Sequence, residues 1–267
     1  MTSPIPFLRR ALPWLSAAAA LAALAVAARA PDPAPPPATL RVGVAPGALP
    51  VSTGERDYTS GGFEAVYAKE LAQRLGAALT LVPLAPEAQA AALQRGEVDL
   101  VLGRGDAHAA TGIATGYRSG LGVSMRADTP VRRWEDLRGR VVCTSADNRA
   151  AQARAERLGA RLRVLAAPAQ ALVQVRTGGC DAALLDHAQL APLLSQKEWA
   201  KFAAGLPATA PDALWLRLSP ARAALDVPVR AAVAALDDPP QWARRRQTWA
   251  SNVAFEVYFD QTGPDCH

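Results

Sequence analysis

Four residues spread over the chain have the chemistry to hold a small charged molecule: Glu64, Arg104, Arg118 and Asp186. A carboxylate pairs with an ammonium, and an arginine fork matches a carboxylate in two parallel hydrogen bonds. Asp186 closes the apolar run "CDAALLD". An acid at the C-terminal edge of a buried parallel strand faces the crevice where α/β sheets bind ligands. The same residue precedes "HAQLAPLL", so it also stands where a helix N-cap would. Arg104 and Arg118 are equally compatible with a carboxylate clamp and with a solvated face. In "CTSADN", Thr144 and Ser145 precede a helix, where backbone N–H groups favour an anion. Ser145 or Asp147 could instead cap that helix, and the charge of Asp147 opposes a strongly anionic ligand.

Several chemistries find no support. His108, His187 and His267 are too scattered for a histidine-based metal site, and Cys143, Cys180 and Cys266 lack metal spacing. There is no Gly-x-Ser-x-Gly elbow, phosphate loop or Cys/His dyad. Asp186, Glu64, Asp106 and His108 are the candidates for cleft acid–base catalysis, and spacing alone places none of them beside a substrate. No cofactor and no enzymatic activity are expected.

The elements that position these residues repeat. "QRGEVDLVLGRGD" and "RTGGCDAALLDHAQL" set a glycine, an aspartate and an apolar run in one order: Gly96, Asp99 and Leu102 recur as Gly178, Asp181 and Leu184. Around the first lie the strand "TLRVGV", the helix "GGFEAVYAKELAQRLGA", the strand "LTLVPL" and the helix "PEAQAAALQRG". Around the second lie "VVCTS", "DNRAAQARAERLG", "LRVLAA" and "PAQALVQVRTG". Each series alternates strand and helix, which predicts a mainly parallel sheet flanked by helices. Two copies imply two lobes. "GLGVSMRAD" and "DALWLRLSP" are extended connectors, and together they would make a two-strand hinge suited to closing around a ligand.

The chain has 267 residues, half of them hydrophobic, enough for two cores. It opens with Arg9 and Arg10, an Ala/Leu-rich stretch and Ala-x-Ala sites, the layout of a signal peptide over residues 1–28 cleaved after Ala27 or Ala28. A retained membrane anchor is the alternative, since Ala11 to Ala28 nearly reaches spanning length. Residues 29–38, with "PDPAPPPA", make a stiff linker. Lobe 1 is expected over 39–124, lobe 2 over 125–213, and a return to lobe 1 with C-terminal helices over 214–267. The formal charge is +5, but residues 1–30 hold three arginines and no acid, so 26 cationic side chains face 24 acids beyond them. No nucleic-acid partner follows.

"LRVGVAPGALP", "GGFEAVYAKELAQRLGA", "ALQRGEVDLVLG", "WEDLRGRVV" and "GGCDAALLD" resemble, in order and spacing, the amino-acid-type periplasmic solute-binding proteins, family 3. The resemblance implies a two-lobed periplasmic-binding-protein-like (type II) α/β fold that closes on a small-molecule ligand. It implies a monomer in the periplasm that hands an amino-acid-like solute to the membrane permease of an ABC transporter. By the resemblance Asp186 would hold the ligand's α-amino group. The site implied draws on Phe63, Glu64, Arg104 and Arg118 from lobe 1, with Thr144, Ser145 and Asp186 from lobe 2; the alternative role for Glu64 is only to favour its helix dipole.

The chain departs from the family where Val51 replaces an aromatic. It departs again where "GRGDAHAATG" lacks the arginine that clamps a carboxylate. "GYRSG", Gly116 to Gly120, is similar to a segment of a subgroup associated with periplasmic quinoprotein alcohol dehydrogenases, which implies an accessory role as the alternative; Tyr117 could also simply pack beneath the hinge. A few proteins of this fold are dehydratases. In receptor relatives a C-terminal cysteine is tied to the second lobe, which implies a Cys180–Cys266 disulfide, with Cys143 buried in a strand.

Overall fold

A computed structural model describes residues 38–53, 56–104 and 112–261. The expected signal peptide, most of the linker, Asp106, His108, Cys266 and His267 lie outside the described residues.

Lobe 1 is built on a five-stranded sheet. Strands β1 (Thr39–Val44), β4 (Ala78–Pro83) and β5 (Leu100–Arg104) run parallel, with β1 in the centre. Two antiparallel pairings extend the sheet through β11 (Asp212–Leu218) to β6 (Ile113–Ser119), in the order β4-β1-β5-β11-β6. A small hairpin of β2 (Val51–Ser52) and β3 (Asp57–Tyr58) sits apart. Helices α1 (Glu64–Arg74) and α2 (Pro86–Arg95) supply the crossovers. Helix α1 buries Tyr67, Ala68, Leu71 and Ala72; of the apolar residues at helical spacing, Phe63, Tyr67, Leu71 and Leu75 are buried and Val66 faces solvent.

Lobe 2 repeats the plan. Strands β8 (Val141–Ser145), β9 (Arg161–Leu165) and β10 (Ala182–Asp186) are parallel, and β7 (Leu121–Met125) adds an antiparallel edge, in the order β7-β10-β8-β9. Helices α3 (Arg149–Leu158), α4 (Pro168–Arg176) and α5 (His187–Leu194) flank it. The chain changes sheets at Gly120, between β6 and β7, four residues before the expected end of the first segment. There it crosses the returning strand: Leu121 donates to the Thr209 hydroxyl at 2.8 Å, and Thr209 donates back to the Leu121 carbonyl at 3.1 Å. A Cβ on Gly120 would overlap the Thr209 carbonyl, so only glycine allows the two chain segments to touch here; the expected connectors "GLGVSMRAD" and "DALWLRLSP" are instead strands β7 and β11 of the two sheets.

The C-terminal helices α6 (Asp226–Leu236) and α7 (Pro239–Asp260) follow β11. Helix α7 joins both lobes. Its first turns bring Trp242 flat against Tyr67, 5.5 Å between ring centres, and Arg245 onto Glu70. Its later turns pack on α4 and α5 of lobe 2. Among the described residues, no helix is long and apolar enough to cross a membrane.

The disulfide differs from the expected one. Cys180 is bonded to Cys143, not Cys266. Parallel pairing sets Cys143 opposite Ala183, and Cys180 lies three residues before Ala183. The two Cα atoms are 6.0 Å apart, inside the range a disulfide spans. Burial of Cys143 in the strand therefore aimed it at Cys180 instead of hiding it.

Candidate functional site

The cleft is formed by strand ends and the turns that follow them. Arg104 ends β5 in lobe 1, Asp186 ends β10 in lobe 2, and the two form a salt bridge across the gap. Tyr117, on the inward face of β6, donates its hydroxyl to the same Asp186 oxygen at 2.9 Å. The other oxygen accepts from the Asn148 amide at 3.3 Å. Asp186 is 3% exposed and occupies the N-cap position of α5, yet its side chain makes no capping hydrogen bond. Its carboxylate is committed to the cleft.

Arg104 is held from three sides. Its guanidinium lies 5.0 Å from the centre of the Tyr117 ring, and its Nε is 3.5 Å from Glu64 Oε1. Burial alone would lower its pKa, but the charges of Asp186 and Glu64 outweigh burial and raise it well above the usual arginine value. Burial and the charge of Asp186 likewise push the Tyr117 phenol well up, so it remains a donor.

A second contact crosses the cleft beside the first. Asp147 reaches from lobe 2 to accept the Gly61 N–H of lobe 1 at 2.5 Å. A Cβ on Gly47 or Gly61 would overlap Asp147, so these glycines open the space for it. Burial raises the Asp147 pKa to about 6, against the lowering effect of the Ser145 hydroxyl beside it and the Gly61 N–H, while the Glu64 charge adds to the rise. Between the contacts lies a cavity of about 320 Å³ whose lining includes Glu64, Arg104, Asp147, Asn148, Asp186 and Asp212.

Of the residues singled out from sequence, Glu64, Arg104 and Asp186 come together here. Phe63 is in the core, edge-on to Tyr117 at 5.2 Å and to Trp242 at 5.8 Å. Arg118 is exposed, because strict alternation along β6 turns Tyr117 inward and its neighbour outward. Thr144 is buried and donates to the Leu184 carbonyl at 2.7 Å, tying β8 to β10. Ser145 is buried at the end of β8. The cap of α3 is Asn148, whose side chain accepts from Ala151 at 2.9 Å; neither Ser145 nor Asp147 takes that part.

Tyr117, Asp147, Asn148 and Asp212 are not among the expected site residues. The alternation in "IATGYRS" carries a signal for Tyr117, since Ile113, Thr115 and Tyr117 share one face. Asn148, immediately before a helical pattern, carries the N-cap signal. Asp212 shows none. Among the described residues, no cluster of three or more His, Cys, Asp or Glu side chains is arranged to hold a metal ion.

Residues 40–111 match the bacterial extracellular solute-binding proteins, family 3. Solved structures extend the likeness to both lobes. An ancestral cationic amino acid solute-binding protein superposes with a TM-score of 0.57 at 21% identity, covering 79% of this chain and 95% of its own. The chain has the fold of the amino-acid-type solute-binding proteins. A mutant ArgBP from T. maritima gives a TM-score of 0.56 at 17% identity over 80% of this chain and 96% of that one. An amino acid ABC transporter substrate-binding protein from Streptococcus pneumoniae Canada MDR_19A, bound to L-arginine, gives 0.56 at 16% identity over 81% and 96%. No curated protein matches the sequence significantly.

Proposed function

We propose that this chain binds a small polar, amino-acid-like solute between its lobes and presents the closed form to the permease of an ABC transporter, as a periplasmic monomer. The observation that carries this reading is the Arg104–Asp186 pair at the mouths of two strands from opposite lobes, beside a cavity of about 320 Å³. A zwitterionic solute offers both halves of that pair: its ammonium replaces Arg104 on Asp186, and its carboxylate takes the guanidinium. Exchange of one ion pair for two ties binding to lobe position. The relatives of the same fold that bind amino acids support the assignment.

A thermal-shift screen of amino acids, amines and organic acids tests the proposal. A solute present at about a hundredfold over its dissociation constant should add about 2.7 kcal/mol of stability. Asp186→Asn should abolish the shift. A melting curve indifferent to every compound would contradict the transport reading.

One observation favours a second reading, an accessory protein of a periplasmic quinoprotein alcohol dehydrogenase. Tyr117, from the "GYRSG" segment, and Arg104 together satisfy Asp186 from within the chain, as a purely structural latch would. Co-purification with a dehydrogenase, without any solute response, would select it.

A further inference from the structure

Lobe 1 holds a second cavity, of about 350 Å³, slightly larger than the one between the lobes. It lies between α1 and α7, beside the turn from Thr59 to Gly62, and Gly62 alone lines both cavities. Gln241, Arg244, Thr248 and Asn252 follow one another along α7 at helical spacing and form one wall; Val66 and Glu70 of α1 belong to the other. Interdigitating helices fill such a contact with large apolar side chains. Thr248 and Asn252 are short and polar, so the contact stays open and leaves Val66 48% exposed. Buried Phe63 and Trp249 complete the apolar part of the lining. The charge balance is opposite to that of the cleft. Glu64, Asp147, Asp186 and Asp212 outnumber the arginines there, whereas the one acid here is Glu70. Its carboxylate is taken by Arg245, which donates to it from Nε at 2.9 Å and from a second guanidinium nitrogen. Arg245 also donates to the Leu236 carbonyl at 3.1 Å and lies 4.4 Å from the centre of the Trp242 ring. Its neighbour Arg244 has no hydrogen bond or ion pair among the described residues, and the side chains of Thr248 and Asn252 have none either.

We propose that the cavity between α1 and α7 is a second ligand site, for a small organic acid with a compact apolar body. The carboxylate takes the uncommitted fork of Arg244, a planar donor pair that matches it, with the Thr248 hydroxyl and the Asn252 amide as further donors. The apolar body covers Val66 and meets Phe63 and Trp249. A largely apolar concavity with a few polar groups to fix orientation is the usual form of a small-molecule site. The site is separate from the cleft and does not depend on the solute proposed there. The two cavities would select ligands of opposite charge.

Calorimetric titration of the full chain with benzoate, phenylacetate and hexanoate, each paired with its neutral amide, tests the site. At least one acid should bind with a dissociation constant below about 1 mM. It should bind at least about tenfold more tightly than its amide, the scale of a charge-assisted pair. Arg244→Gln, at an exposed position, should remove that preference and leave the melting temperature unchanged. Thr248→Tyr, which fills the cavity from an exposed position on α7, should abolish binding of acid and amide alike. Asp186→Asn, in the cleft, should leave the affinity for the acid as it is. An amide binding as tightly as its acid would overturn the proposal. Binding lost in Asp186→Asn and kept in Arg244→Gln would assign the acid to the cleft and overturn it too. Failure of all three acids to bind at millimolar concentration would overturn the second site and leave the cleft reading untouched.

Discussion

Asp99 in lobe 1 and Asp181 in lobe 2 occupy the same corner of the repeated unit. Each follows a left-handed glycine, Gly96 at φ +68° or Gly178 at φ +80°. Each accepts the backbone N–H of the neighbouring parallel strand at 2.8 Å, from Arg41 or from Val141, and returns its own N–H to that residue's carbonyl at 2.9 Å. The corners then diverge. Asp99 is fully buried and bonded to the guanidiniums of Arg41 at 2.9 Å and Arg222 at 2.7 Å, the latter from the returning chain. The Asp181 side chain is 31% exposed, with Arg140 3.6 Å away. Lobe 2 has the Cys143–Cys180 disulfide where lobe 1 has Gly43 and Val98 at the matching positions. The fifth residue after each aspartate ends its strand, and there the lobes carry opposite charges, Arg104 and Asp186, which meet across the cleft. A duplicated corner thus carries buried ion pairing at one end in lobe 1 and an inter-lobe salt bridge at its open end.

Removing the acid from each corner separates the two. Asp99→Ala leaves two arginines without their buried partner and should cost about 3–5 kcal/mol in urea denaturation. Asp181→Ala, partly solvated, should cost about 1 kcal/mol. The Asp99 contribution also depends on pH. Burial would raise its pKa, but the bonds from Arg41 and Arg222 prevail and lower it. Its stabilisation is therefore complete above the unfolded value of about 3.9 and is lost as pH falls through the depressed folded value. Equal losses from the two substitutions would show that the corners are equivalent after all.

Next in size is the disulfide, which closes a separation of 37 residues in lobe 2 alone. Replacing Cys143 and Cys180 by alanine should cost about 2–4 kcal/mol. The loss should fall on lobe 2, with faster amide exchange along β8 and β10 and little change along β1 and β5. Uniform loosening of both sheets would contradict the assignment of this staple to one lobe.

A further effect, read as a pH dependence, concerns Asp147, whose carboxylate accepts the Gly61 N–H across the cleft. Its pKa of about 6 in the fold lies above the unfolded value, so the native state holds the extra proton. Stability from this group is full below the unfolded pKa and declines as pH rises from about 4 through about 6, by no more than about 2–3 kcal/mol. Asp147→Asn should flatten that part of a stability–pH profile, and a profile unchanged by the substitution would place the carboxylate in solvent.

The sequence signals for the fold were strong because period and punctuation agreed. The helix beginning at Glu64, the strands ending at Arg104 and Asp186, and the repeat of Gly96 and Asp99 are all local features. What escaped was set by register and packing. The choice of Cys143 over Cys266 depends on which strands lie side by side. Arg118 and Arg104 have the same chemistry, and only the pleat of β6 turns Arg118 outward. Asp147 looked like a deterrent to anions or a helix cap; its place against Gly61 comes from the approach of the other lobe, which no local pattern encodes.

Small-angle X-ray scattering of the wild-type chain and Asp186→Asn tests the central claim most directly, that opposite charges at equivalent strand ends hold the lobes across the cleft. The account predicts a larger radius of gyration for the variant, with its melting transition still cooperative. Identical scattering from the two proteins would contradict it.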